Sequence, residues 1–187
     1  MAVADWEILD MYGNPVSTEL RTDVVFEGNK SVRFGIDGEN GIIVIHKQTK
    51  TDSPVLGAIK TACYFQENTY FTAGFTFKYI DYKNYIRIVL NSSISGELVK
   101  VVDGNESTIA EFNLSITMQK SVWYILEAIC DDENNTIVFR IRDENENLLD
   151  EHILNDAIPS EFKGKGGGIG LHEWYDDAYF DLTKIYY

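Results

Sequence analysis

Apolar and polar residues alternate with a period of two along most of this chain, and clusters of Asp, Asn and Gly interrupt the alternation roughly every ten to fifteen residues. Period two belongs to a strand with unlike faces, because successive Cβ atoms point to opposite sides of a sheet. Helical spacing is nearly absent. The alternation predicts strands over Ser31 to Gly35, Gly41 to Lys47, Gly57 to Phe65, Tyr70 to Ile80, Tyr85 to Asn91 and Glu97 to Val102. It continues over Thr108 to Ile116, Trp123 to Cys130, Thr136 to Arg142, Leu148 to Leu154, Ile169 to His172 and Tyr179 to Tyr186. Asp37-Gly38, Asp103-Gly104-Asn105 and Asp132 to Asn135 separate them with residues that tolerate positive φ. So many short strands joined by tight turns imply an all-β sandwich or barrel, and twelve strands imply two large sheets, so a two-sheet antiparallel β-sandwich is the expectation. Leu154 to Phe162 alone is read as a helical turn, cut short by Pro159.

Two hairpins refine the picture. In Trp123 to Cys130, Leu126, Ala128 and Cys130 share one face and Ile125, Glu127 and Ile129 the other, the signature of a central strand. In the strand after it, Ile137, Phe139 and Ile141 alternate with Val138, Arg140 and Arg142, so the face opposite Phe139 is wet. The C-terminal region opens on Gly166-Gly167-Gly168, a run that lets two backbones approach closely. A polar aromatic loop is expected from His172 to Asp177, and then a closing strand that carries Asp181.

At 187 residues and 44% apolar, the chain can bury one substantial core, and a single domain over 1–187 is the expectation. Sixteen Lys and Arg against thirty Asp and Glu give a net charge of -14. That field repels nucleic acid, anionic membranes and acidic polysaccharides, and favours neutral partners or calcium. Cys63 and Cys130 lack CxxC spacing, so they are read as core thiols or as one disulfide. No leader and no run of about 18 apolar residues is present, so membrane insertion is not expected.

The run Asp81-Tyr82-Lys83-Asn84-Tyr85-Ile86-Arg87-Ile88-Val89, Trp123 opening a strand, Gly168-Ile169-Gly170-Leu171 and Ala178-Tyr179-Phe180-Asp181 together resemble the concanavalin A-like lectin/glucanase superfamily. The likeness is closest to laminin-G-like domains and carbohydrate-binding modules, and Glu27 to Phe34 is similar to a segment near the start of many such modules. The resemblance implies a jelly-roll sandwich, with Tyr85 and Arg87 on its concave face beside Lys100 or Glu127. It also implies a structural calcium between the N-terminal segment and the last strand, with Asp181 as the matching acid and Asp5, Glu7 and carbonyls around Glu27 to Lys30 completing the site.

Enzyme readings find less support. Retaining glucanases of this superfamily carry Glu-x-Asp-x-x-Glu on one strand, which sets two carboxylates about 5 Å apart; no glutamate here has an aspartate two residues later. Thr18 to Arg21, Ile43 to His46 and Tyr70 to Phe75 resemble three signatures of jelly-roll alginate lyases. Val44 and Thr76-Phe77-Lys78 depart from those signatures, and a polyanionic substrate would meet the chain's own negative field.

Ring-rich, polar surfaces suit sugars, because apolar pyranose faces stack on aromatic rings while hydroxyls meet carboxylates and amides. The candidate carbohydrate-binding residues are Tyr79, Tyr82, Tyr85, Arg87, His172, Trp174 and Tyr175. The bland reading of each ring is ordinary strand propensity and packing. Of Arg87 it is a cross-strand pair with Glu127. The function expected is a non-catalytic carbohydrate-binding module for a neutral glycan, appended to a larger secreted or cell-surface protein. The alternatives are a laminin-G-like adhesive domain, viral or cell-surface, and a polysaccharide lyase.

Overall fold

A computed structural model describes residues 5–16, 18–21, 26, 31–34, 41–52, 56–65, 72–174 and 178–186. The strands are β1 Trp6–Asp10, β2 Thr18–Arg21, β3 Ser31–Phe34, β4 Ile42–His46, β5 Leu56–Phe65, β6 Thr72–Asp81 and β7 Asn84–Ser92. They continue with β8 Ser95–Val102, β9 Asn105–Asn113, β10 Trp123–Asp131, β11 Thr136–Arg142, β12 Leu148–Asn155, β13 Gly168–Trp174 and β14 Ala178–Tyr186. One short helix, α1, spans Lys47–Asp52. The strands form two seven-stranded sheets, in the orders β1-β4-β13-β6-β7-β8-β9 and β12-β11-β10-β5-β14-β3-β2. Neighbours pair antiparallel throughout, and the chain is all-β as its alternation predicts and a jelly-roll sandwich as the resemblance implies.

The core lies between the sheets. Val44, Phe75, Phe77, Ile86, Ile88, Leu90 and Leu171 face inward from the first sheet; Cys63, Phe65, Leu126, Phe139, Ile141 and Phe180 face them from the second. Phe75 meets Phe139 with ring centroids 6.2 Å apart. β10 sits between β5 and β11, the central place that its two-sided apolar pattern predicts. At Gly170 the strands approach so closely that a Cβ would lie 1.8 Å from the Val44 carbonyl oxygen.

Several features differ from expectation. Alternation does not predict β1, β2 or α1. The helix is tied down by Thr49, whose Oγ1 donates to His46 O at 2.7 Å and accepts from Ile169 N at 2.8 Å. The segment from Leu154 is strand through Asn155 and then a turn in which Pro159 O accepts from Phe162 N and Lys163 N. His172 to Trp174 is not a loop but the end of β13, because His172 is paired with Ile43 and Gly74, and Trp174 with Thr72. Residues 175–177, and the turn expected at Asp37-Gly38, lie outside the described residues. Cys63 and Cys130 are free and buried. Cys130 pairs with Gly57, six residues along β5 from Cys63, a separation of about 20 Å that no disulfide spans.

A bulge near the end of β6 redirects two side chains. Lys78 has φ 54° and the register against β7 shifts between Phe77 and Asp81. Lys78 turns toward the sandwich, donating to Asp132 Oδ2 at 3.0 Å and to Lys165 O at 2.7 Å. Tyr79 is thereby thrown onto the outer face, where it packs with Leu9, Ile43, Ile45, Tyr85 and Val101.

Candidate functional site

The outer face of the first sheet gathers most of the residues that the sequence singles out. Tyr85 and Arg87 project from β7 opposite the core residues Ile86 and Ile88, His172 and Trp174 project from β13 opposite Leu171, and Tyr79 arrives through the bulge. Tyr79 and Tyr85 have ring centroids 6.1 Å apart, and Tyr85 and His172 6.4 Å. The Arg87 guanidinium lies 5.8 Å from the Trp174 ring centroid. Tyr82 sits in the β6–β7 turn, with Lys83 Nζ 5.3 Å from its ring. Tyr175 lies outside the described residues.

A turn after β1 crosses this face. The Asp10 carboxylate fixes it by accepting from Tyr12 N at 2.9 Å, Asn14 N at 2.7 Å and Asn14 Nδ2 at 2.9 Å. Gly13, at φ 85°, lies flat on Tyr82, where a Cβ would come within 2.7 Å of the ring. Gly41 supports Met11 and the Trp174 ring together, since a Cβ there would lie 2.6 Å from Met11 Sδ and 2.9 Å from Trp174 Cε3. The turn therefore reaches from Trp174 to Tyr82. Tyr85 and His172 are fully buried and Tyr79 and Arg87 nearly so, whereas Trp174 and Tyr82 are half-exposed and Tyr12 stands out at the apex with 66% exposure.

The polar chemistry centres on Arg87. Its two terminal nitrogens donate to the two oxygens of Glu106 at 2.7 and 2.8 Å, a bidentate fork that fixes the guanidinium in plane. Neither expected neighbour is its partner: Lys100 is paired with Ile86 and so faces the other way, and Glu127 is on the second sheet, 3.4 Å from both Arg140 and Arg142. Beneath the fork, Thr76 Oγ1 and both His172 ring nitrogens are buried without a hydrogen-bond partner. Burial, reinforced by the Arg87 charge, holds the His172 imidazole well below the usual histidine range, so it is neutral at pH 7. Burial pushes the Tyr85 phenol up, offset in part by Arg87. The layer thus lies buried beneath Trp174 and the Arg87–Glu106 pair and supports them from below.

The acids implied for calcium do not come together. Among the described residues no three acids, histidines or cysteines gather into a metal-binding group. Asp181 lies on β14 in the second sheet and accepts from Phe26 N at 3.2 Å. Glu7 is on β1 in the first sheet, and Asp5 lines a shallow hollow with His46, Lys47 and Gln48. Residues 27–30 lie outside the described residues.

The outer face of the second sheet carries a second aromatic row that the sequence pattern does not single out. Trp123, Tyr64 and Tyr179 are register partners across β10, β5 and β14. Their centroids are 5.3 and 5.8 Å apart, and Phe26 stands edge-on to Trp123 at 5.4 Å. Period two alone puts these rings outward, opposite Tyr124, Cys63 and Phe180, but the strand order that aligns them is not readable from alternation.

This architecture is a two-sheet antiparallel β-sandwich of the jelly-roll type. No protein-family model matches the chain, and no curated protein sequence does. Solved structures do. The carbohydrate-binding module CBM66 from Bacillus subtilis aligns over 98% of this chain and 96% of its own, with TM-score 0.63 and 16% identity. Arcelin-5, a lectin-like defense protein from Phaseolus vulgaris, aligns over 96% and 90%, with TM-score 0.61 and 7% identity. The GH43 BlXynB protein from Bacillus licheniformis aligns over 96% of this chain but 39% of its own, with TM-score 0.55 and 13% identity. At these identities the likeness establishes the fold.

Proposed function

We propose that this protein is a non-catalytic carbohydrate-binding module that takes a neutral glycan on the outer face of its first sheet. The observation that carries the reading is the Arg87 fork, held by Glu106 against the half-exposed Trp174 ring over a buried layer with unsatisfied polar atoms. Trp174 and Tyr82 supply ring surface for a pyranose face, and the Glu106 carboxylate, 40% exposed and fixed by Arg87, accepts from its hydroxyls. Tyr79, Tyr85 and His172 are a supporting layer, since rings with 0–3% exposure do not themselves stack on a ligand. Likeness to a named carbohydrate-binding module and to a lectin-like protein supports this reading. A GH43 protein with a sandwich of this shape in 39% of its chain supports attachment to a larger secreted or cell-surface protein.

The test is affinity electrophoresis and a glycan array on neutral polysaccharides, with Trp174→Ala beside the wild type. Retardation that Trp174→Ala abolishes is expected; no binding to any glycan would sink the proposal. The adhesive alternative draws on one observation. Ile153, Val138, Ile129, Ala58 and Tyr186 form an apolar row across five strands of the second sheet, with Ile153 58% and Tyr186 53% exposed. Oligomers in analytical ultracentrifugation that Ile153→Lys dissociates would favour it.

A further inference from the structure

The second sheet carries a hollow of about 210 Å³ on its outer face, bounded by the β11–β12 turn on one side and by Phe26 and Lys184 on the other. Ala62 and Ile125 form its floor; both point away from the core, yet they are only 3% and 5% exposed. Phe26 is held upright by its edge-on contact with Trp123 and by its backbone N–H, which donates to Asp181.

The opposite wall is preformed. The Asp143 carboxylate accepts from Asn145 N, Asn147 N and Asn147 Nδ2 at 2.8 to 2.9 Å, and Arg142 donates to Glu146 O at 3.2 Å. This fixes the turn so that Glu146 leans over the sheet and meets Lys60 Nζ at 2.9 Å. Four charged groups ring the opening, the ammonium groups of Lys60 and Lys184 and the carboxylates of Glu144 and Glu146. Their charges cancel. An ion gains little from such a rim, whereas a neutral solute rich in hydroxyls finds charged donors and acceptors on every side.

We propose that this hollow is a second glycan site, taking one neutral sugar ring above the Ala62–Ile125 floor, with its apolar face against Phe26 and its hydroxyls on Lys60, Glu146, Glu144 and Lys184. The ligand class rests on the carbohydrate reading of the first face; the site does not. Its volume of about 210 Å³ gives room for one sugar ring. The site lies on the opposite side of the sandwich from Trp174 and shares no residue with it.

Proton–nitrogen correlation spectra, with methyl glucoside, methyl xyloside, methyl galactoside and methyl fructoside as probes at millimolar concentration, read both faces at once. At least one probe is expected to shift the amides of Ala62, Ile125 and Lys184 in a saturable way, in the wild type and equally in Trp174→Ala. Glu146→Ala, at an exposed turn position, should weaken that response about tenfold, the loss of one charge-assisted bond; Ala62→Leu should abolish it. Silence of these amides with every probe overturns the inference, as does an unchanged titration in both pocket variants. Shifts near Trp174 and Tyr82 without shifts here defeat this inference alone. Shifts here without shifts there defeat the first-face reading alone, and silence on both faces defeats both.

Discussion

Acidification is expected to destabilise this protein through His172 at a pH where its carboxylates are still ionised. The imidazole is fully buried, neither ring nitrogen has a partner, and the like-signed Arg87 guanidinium disfavours its charged form. Around it stand Tyr85 from β7, Gly74 from β6 and Ile43 from β4, none of which stabilises a cation. The folded state therefore refuses a proton that the unfolded chain accepts near pH 6.5. Where the unfolded state binds more protons, stability rises with pH, so His172 costs stability as pH falls from about 6.5 toward its own depressed value. From pH 7.5 to 5.5 a histidine that stays neutral contributes a loss of about 1.4 kcal/mol. For a chain of this size that lowers Tm by about 3–6 °C. At Asp10 and Asp150 burial acts upward, but hydrogen bonds outweigh it and keep both below the usual carboxylate value, so their stabilisation is intact at pH 5.5 and is lost only in stronger acid. Urea unfolding at both pH values, with His172→Leu alongside, isolates the effect from His46 and His152. The wild type should lose about 1.4 kcal/mol more than the variant. Equal losses would show that the imidazole protonates in place, and the account of the buried layer would fail.

Three further outcomes test the scaffold. Lys78→Met strips the buried Asp132 carboxylate of its cation, leaving Gly164 N as donor at 2.8 Å. It should cost about 3–5 kcal/mol in urea unfolding, much of it recovered in Lys78→Met/Asp132→Leu; an additive double variant would show that the two do not act as a pair. Gly170→Ala forces a Cβ onto the Val44 carbonyl and should abolish folding or cost more than about 4 kcal/mol, whereas Gly164→Ala, at φ 68° in open space, should cost about 1–2 kcal/mol by thermal melting. Burial raises the Cys63 thiol well above its usual value and pushes Cys130 up to about 12. Native protein should therefore resist an aromatic disulfide reagent at pH 8 and yield two thiols in denaturant; rapid native labelling would refute the burial.

Alternation makes the sheets legible because one face of each strand is committed to a shared core, and a slip of one residue would expose it. It also places Tyr85 and Arg87 on the face opposite Ile86 and Ile88. It fails where chain geometry breaks the period. The Lys78 bulge sends Tyr79 outward against the count of two, and Lys78 turns inward to meet an acid 54 positions away. Glu106 escapes the pattern because alternation begins only at Thr108, whereas the Asp103-Gly104 turn pairs Val102 with Asn105 and starts β9 there. His172 and Trp174 resemble a loop because polar and aromatic residues cluster near the chain's end; pairing on both sides makes them strand. The turn at Met11 to Gly13 carries no period at all, and its position across the first face comes from contacts with Trp174 and Tyr82 that no local pattern encodes.

The two proposed sites have a consequence that neither has alone. They open on opposite faces of a sandwich whose sheets pack about 10 Å apart, so one straight glycan cannot occupy both at once. A single protein molecule then holds two chains, and its effect on a polysaccharide solution is cross-linking. Wild-type protein mixed with a neutral polysaccharide that it binds should raise viscosity or sediment the polymer at a protein concentration where Trp174→Ala and Ala62→Leu, each keeping one site, bind without cross-linking. Cross-linking by either single-site variant at the wild-type level would mean that bridging arises elsewhere, for example through the exposed apolar row at Ile153 and Tyr186 joining two copies. In that case Ile153→Lys, and not the sugar-site variants, would abolish it. The two outcomes assign bridging either to paired binding sites on one molecule or to self-association, and only the first is compatible with a glycan hollow on the second sheet acting together with Trp174.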